Sequence, residues 1–363
     1  MKALLASLFL VGLSSTVVAQ SNYKESSNSF ARYVQTGEIK QLESAKKFID
    51  EAYKTKRDST SKRNTLLRAM VYSSLAYADS NRTIKTDRDP IDITNQALSK
   101  LKNKDSYEKE INYINQNLVA AYISRANKAV NKKEFDKAYA DYVAVEKLGV
   151  KSDDLLNNLA FLSKSAKNEA AAIQHYTKLI KNGEADASNY LTVANLYQKV
   201  GDKQRQLQTL LEARQKLKYD KKVLIALADY YAKEKSYHAL APLADEISAV
   251  ESDDKNLHYL LGFALENNGQ VDKAKSYYEK TLQIDQNHYE ASLALGLIYL
   301  SDFLKDKNNL EAQYGAQNYL LKANGIKPYA VNALKGLSMF YEAADDDEQL
   351  DRVKVLLNQL SNN

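Results

Sequence analysis

Through the C-terminal two-thirds of the chain, a small residue followed by bulky ones returns every 34 positions, the period of a two-helix solenoid repeat. Blocks beginning at Val119, Asp153, Ala187, Lys221, Lys255 and Tyr289 keep one frame, and a last block begins at Val331 after eight extra residues. The eighth slot holds Ala126, Ala160, Ala194, Ala228, Gly262, Gly296 and Ser338. The seventh slot holds Leu159, Val193, Leu227, Leu261, Leu295 and Leu337, and the eleventh holds Tyr197, Tyr231, Leu265, Tyr299 and Tyr341. Two helices approach closely only where a small side chain faces the partner backbone, and the larger neighbours then fill the remaining space to crystal-like density.

A second stripe follows in the same blocks. Ala138, Ala172, Ala274 and Ala316 are its small contacts, with Tyr142, Tyr176, Tyr278 and Leu320 four residues later. Val145, Leu179, Ala213, Ile247, Thr281 and Ala323 extend that face by a further helical step. The pattern predicts an all-α chain of stacked antiparallel helix hairpins: seven repeats at 119–152, 153–186, 187–220, 221–254, 255–288, 289–330 with the insertion, and 331–363. The insertion, around Asp302 to Leu310, reads as a docking loop or a longer turn. Ser152-Asp153-Asp154 and Ser252-Asp253-Asp254 read as helix starts, since their oxygens accept orphaned amide protons and their carboxylates suit the positive helix end.

Residues 20–118 are helical by pattern but keep the frame poorly, and read as two divergent repeats. Phe30, Tyr33 and Val34, then Ile39, Leu42, Ala45, Phe48, Ile49 and Tyr53, predict an amphipathic pair around a turn at Gly37. Leu66 to Tyr77 predicts a third helix, and a polar loop ends at Asp89-Pro90, because a residue before Pro leaves the helical region. Helix resumes at Ile91, and the stretch from Lys109 to Val130 carries no breaker, which predicts one long helix running into the first regular block.

The chain starts with Lys2, an apolar run from Ala3 to Leu13 continuing through Val17 and Val18, and Ala19 at a small-residue cleavage position. This reads as an export signal over 1–19, too short for a convincing membrane span. With no Cys there is no disulfide, no thiolate metal site and no lipid-bearing residue, so the expected product is a periplasmic or extracellular protein without a transmembrane or lipid anchor.

The slots resemble those of the tetratricopeptide repeat family. The nearest match is Lys255 to His288, where Leu261-Gly262, Gly269, Ala274, Tyr278 and Ile284-Asp285 stand in the family's places, while His258, Thr281 and Gln286 depart from its aromatic, Ala and Pro. The family's late Pro appears only as Pro328. The resemblance implies a right-handed α-solenoid whose first helices line a groove for an extended or helical peptide. It also implies the lining residues. Asn127, Asn157, Asn158, Thr192 and Asn195 make a polar run suited to bonding a peptide backbone, and Tyr259, Phe263, Leu293, Leu297 and Met339 make an apolar run for hydrophobic anchors. Family members that grip an acidic chain terminus place three cations where this chain has Ile123, Ser188 and Thr192, so that grip is not expected.

Charge and chemistry narrow the partner. Residues 20–118 carry eighteen Lys and Arg against thirteen Asp and Glu, and the remainder is nearly balanced, an excess too small for a nucleic-acid surface. The four His, at 175, 238, 258 and 288, are scattered and lack a second ligand at metal spacing. HExxH, GxSxG, glycine-rich phosphate loops and Cys nucleophiles are absent, so neither an enzyme nor a cofactor is expected. Asp345-Asp346-Asp347-Glu348 reads as a solvated turn, with a calcium cluster as its alternative. The reading is a non-enzymatic scaffold for a protein or peptide partner. A glycan-binding envelope protein, weakened by the absence of Trp, and a non-catalytic subunit of an envelope enzyme or assembly complex are the alternatives.

Overall fold

Helix starts recur because capping residues recur. Ser152, Asp186, Asp220, Asp254 and His288 stand one residue before the second to sixth blocks. Each accepts from the amide three residues on, at 3.0 to 3.2 Å, satisfying a donor that the first helical turn leaves orphaned. Asn168, Asp202, Asn309 and Asp346 do the same for second helices. Asp346 thus caps the last helix from within the acidic run, and the described residues contain no group of three carboxylates or imidazoles placed to hold a metal ion.

The structure, a computed structural model, describes residues 19–54, 59–102, 104–183, 186–251 and 253–361. The export segment expected over 1–19 falls outside the described residues except for Ala19, which opens the first helix, and Ser252 also falls outside them. The described residues form helices and turns without strands. The chain divides into two compact units, residues 1–183 and 184–363.

In the first unit, α1 (Ala19–Thr36) pairs with α2 (Ile39–Glu51) and α3 (Lys62–Ala78) with α4 (Pro90–Lys100). The long α5 (Glu108–Asn131) pairs with α6 (Phe135–Lys147), and α7 (Asp153–Ser165) with α8 (Glu169–Lys181). Helix α3 is buried on nearly every side, from Asn64 through Ala76, because α2, α4 and α5 all pack against it. In the second unit, α9 (Ala187–Lys199) pairs with α10 (Lys203–Lys216). Helix α11 (Lys221–Lys233) is followed by a broken second helix, α12 (Tyr237–Leu240) and α13 (Ala244–Val250). Then come α14 (Lys255–Asn267) with α15 (Val271–Ile284), α16 (Tyr289–Lys305) with α17 (Leu310–Ile326), and α18 (Val331–Ala343) with α19 (Asp347–Ser361). Within each unit every hairpin packs on the next, the α-solenoid arrangement.

Side-chain size is set by where the backbones nearly touch. A Cβ added to Gly262 would lie 2.9 Å from the Tyr278 ring, and one added to Gly296 would lie 2.8 Å from Leu320 Cγ and 3.0 Å from its backbone nitrogen. The eighth slot of a first helix therefore rests on the twenty-fourth slot of its partner. Val145, Leu179, Ala213, Ile247, Thr281 and Ala323, at one slot of six second helices, are all buried.

Turns inside the hairpins use the left-handed region at one fixed slot, the fifteenth: Lys133, Lys167, Gly201, Lys235, Gly269 and Asp345 all have positive φ. Gly adopts this geometry without cost, whereas other residues are strained by their Cβ. The break between α12 and α13 has a separate cause. Pro242 lacks the amide proton a helix interior needs, and a 3-10 turn over Ala241–Leu243 carries the chain past it.

The eight extra residues of the sixth block form neither a docking loop nor a lengthened turn. Helices α16 and α17 have 17 residues each, where α14 has 13 and α15 has 14, so the insertion sits mostly in helix and only Asp306 to Asn309 turn between them.

Two substitutions separate contact from propensity. Gly296→Ala gains helix propensity but forces Leu320 and its backbone aside, for an expected net loss of about 1–2 kcal/mol. Gly325→Ala, on α17 with nothing within 4 Å of the new methyl, is expected to gain about 0.5–1 kcal/mol. Denaturant titration of the two variants reads both signs. Replacing Lys167 with Gly relieves the left-handed strain and is expected to raise the unfolding midpoint, where Lys167→Val lowers it.

Candidate functional site

The first helices carry the residues expected to bind a partner, and each unit presents its own set. In the first unit Asn127 is exposed on α5, and Asn157 is exposed on α7. Asn158, half-buried beside it, donates its side-chain amide to the carbonyl of Asp154 at 2.7 Å, within its own helix. In the second unit Asn195 is exposed on α9, whereas Thr192 is buried, with 8% of its surface accessible.

The apolar residues of the second unit range from half-buried to exposed. Tyr259 and Phe263 lie one turn apart on α14, half-buried, with rings 6.3 Å apart and stacked at 26°. Tyr259 also lies 5.7 Å from the Tyr278 ring and 5.1 Å from His288, and Phe263 meets Tyr237 edge-on at 5.0 Å. Such pairs hold ring orientation as well as burying area. Burial raises the Tyr259 phenol above its ordinary pKa, with the Glu290 and Glu266 carboxylates acting in the same direction, so the hydroxyl stays neutral. Leu293 on α16 is half-buried against the cluster made with α17 and α18. Leu297, one turn on, is 40% exposed, and Met339 on α18 is 50% exposed. Gly336 keeps α18 close to α16: a Cβ there would lie 3.3 Å from Leu297 Cδ2 and 2.7 Å from Leu320.

The imidazoles have packing and capping partners. His175 is buried on α8, with Nε2 3.1 Å from the Tyr139 hydroxyl and its ring edge-on to that tyrosine. His258 is buried with its ring 6.0 Å from Tyr277, and His288 caps α16 through Nδ1. His238 is exposed on α12. Among the described residues no helix is long and apolar enough to cross a membrane.

The slot pattern also carried a signal that the groove reading passed over. In the first block the seventh slot is Arg125, where later blocks have Leu or Val, and a cleft of about 600 Å³ lies beside it, bounded by the end of α3, α5 and α6. Arg125 grips Asp141 through two bonds, Nε to Oδ2 at 3.0 Å and Nη2 to Oδ1 at 2.6 Å. A charged residue in an otherwise apolar column was visible in the sequence. The cleft beside it required the loop before Asp89, which the repeat frame does not reach.

Burial holds the His175 imidazole below its ordinary pKa, outweighing the upward pull of Glu146. The unfolded ring takes up a proton below about pH 6.5, and the folded ring resists it. The unfolded state therefore binds more protons as pH falls through that value, and stability falls with it. The urea midpoint is expected to drop between pH 7.5 and 5.5, and His175→Gln, which can keep a bond to Tyr139, is expected to make that drop shallower.

Comparison with known proteins gives a partial likeness. No family model matches the chain. Two curated relatives, both photosystem I assembly protein Ycf3, from Prochlorococcus marinus strains NATL1A and NATL2A, are 26% identical over 114 residues. The match covers 30% of this chain and 61% of each relative, so the chain spans less than two-thirds of their length. Among solved structures, YrrB, a TPR protein with an unusual peptide-binding site, is 20% identical with a TM-score of 0.41, over 53% of this chain and 94% of that one. A crystal structure of MamA is 20% identical with a TM-score of 0.36, over 49% of this chain and 96% of that one. The slots, the hairpins and their close contacts resemble those of tetratricopeptide repeats, and within each unit they make an α-solenoid arrangement of helix hairpins.

Proposed function

We propose that the chain is a non-enzymatic interaction scaffold, exported to the cell envelope or beyond, whose second unit docks a protein segment on its first helices. The observation that carries this reading is the apolar surface at Leu297 and Met339. These side chains are 40% and 50% exposed on neighbouring first helices, and a stacked Tyr259–Phe263 pair stands on the first helix of the preceding hairpin. Scattered exposed apolar residues need no explanation, but exposed Leu297 lies where α18 approaches α16 at Gly336, and apolar side chains on adjoining first helices suit the anchors of a bound segment. The exposed amides Asn127, Asn157 and Asn195 would contribute backbone bonds from their own units. The relatives' name, an assembly protein, agrees with a role in bringing other chains together. Export rests on Lys2, the apolar run that follows and Ala19.

A photocrosslinking residue at position 339, expressed in the producing cell, is expected to capture one dominant neighbour. The captured segment, synthesised and titrated, is expected to bind Leu297→Asp/Met339→Asp at least tenfold more weakly than the parent, about 1.4 kcal/mol. Because both positions are exposed, the unfolding midpoint should stay where it is. Unchanged affinity would remove this surface from the function. Mass spectrometry of the envelope and medium fractions is expected to find a chain starting at Gln20 or Ser21, and a product retaining Met1 in the cytoplasm would refute export.

A further inference from the structure

The cleft of the first unit has its own chemistry. Its floor is neutralised: Asp141 is held by Arg125, and Asp89 lies 3.5 Å from Arg125 Nη1 and 3.4 Å from Arg82. Arg82 turns its remaining Nη1 donors to the carbonyls of Ala76 and Asp79, at 3.1 and 2.8 Å. Two guanidiniums and two carboxylates thus answer one another.

Above that floor the balance is different. Lys128 Nζ donates to the carbonyl of Ser80 at 2.7 Å and to Asn81 Oδ1 at 2.9 Å, both uncharged acceptors, so its charge stays unanswered. One turn further, Lys132 also lines the cleft, and among the described residues no carboxylate lies within ion-pair distance of it. Ala76, Ala121, Ala129 and Ala140 form walls of small apolar side chains. A volume of about 600 Å³ is of the order of a small-ligand site and far above that of a single water or ion.

We propose that this cleft binds a carboxylate-bearing ligand, its anionic groups on Lys128 and Lys132 and its hydrocarbon or backbone between the alanine walls. Two ammonium groups four residues apart at the C-terminal end of α5 suit two singly charged carboxylates spaced along one ligand better than one compact phosphate. The lysines stand at the tenth and fourteenth slots of the first block, and the turn after α3, bonded to Lys128, lines the same cleft. The site is therefore separate from the first-helix surface proposed above, belongs to the other unit, and stands or falls independently of it.

The test is calorimetric titration of the full chain at low salt with acetylated tetraglutamate, free glutamate and inorganic phosphate. Tetraglutamate is expected to bind more tightly than phosphate. Its affinity should fall at least tenfold in Lys128→Ala/Lys132→Ala and fall again between 0.05 and 0.5 M salt, as screening requires. Both lysines are exposed, so the variant should fold, which its circular dichroism and unfolding midpoint check. Lys203→Ala/Lys273→Ala, two exposed cations of the second unit, should bind as the parent does. Free glutamate matching the peptide would identify a small carboxylate as the ligand, and binding by the peptide alone would identify an acidic segment. No binding by either, phosphate binding as tightly, or full affinity in the Lys128/Lys132 variant would each overturn the proposal.

Discussion

The structure depends on one recurring contact, the near-touch of two helix backbones across a residue too small to hold them apart. At Gly296 the space for a methyl group is already occupied by Leu320, backbone included, and at Gly262 by the Tyr278 ring. Once that distance is set, the large side chains around it have fixed volumes to fill, so Leu261, Leu295 and Leu337 are buried alike in three different hairpins. The second helices follow the same rule, since one slot of each, from Val145 to Ala323, is buried in all six. With no Cys to form a disulfide, each unit is held by this geometry and by the caps that start its helices.

The repeat architecture was legible because it is written in side-chain size at a fixed period, and size is what close packing reads. Helix starts at Asp153, Ala187, Lys221, Lys255, Tyr289 and Val331 coincide with the first residues of the frame. The capping residues behind most of them were equally readable at one slot, though only the Ser-Asp-Asp runs invite that reading at first sight. Pro242 shows the limit from the other side: a single residue without an amide proton divides a helix that the size pattern leaves intact.

Surface properties were less legible, because exposure depends on the neighbouring hairpin as well as on the slot. Thr192 and Asn195 occupy comparable outward slots, yet one is buried and the other exposed. Asn158 has the expected amide but directs it to its own helix. Arg125 is the inverse case, a departure in the seventh column that marked the place where the first unit opens, although part of the lining, from Ala76 to Asp89, comes from far away in sequence.

The lengthened sixth repeat shows how such a chain tolerates change. Eight residues are close to two turns of helix, about 7.2, and they are shared so that α16 and α17 each grow by roughly one turn. The phase of the stripes survives, and Gly296 still meets Leu320. The added turns reach past shorter neighbours, which leaves Leu304 and Leu310 at the tip 44% and 60% exposed. Growth in whole turns is thus invisible to the core and apparent only at the rim, so the edge of a repeat array can be remodelled while its interior keeps the same register.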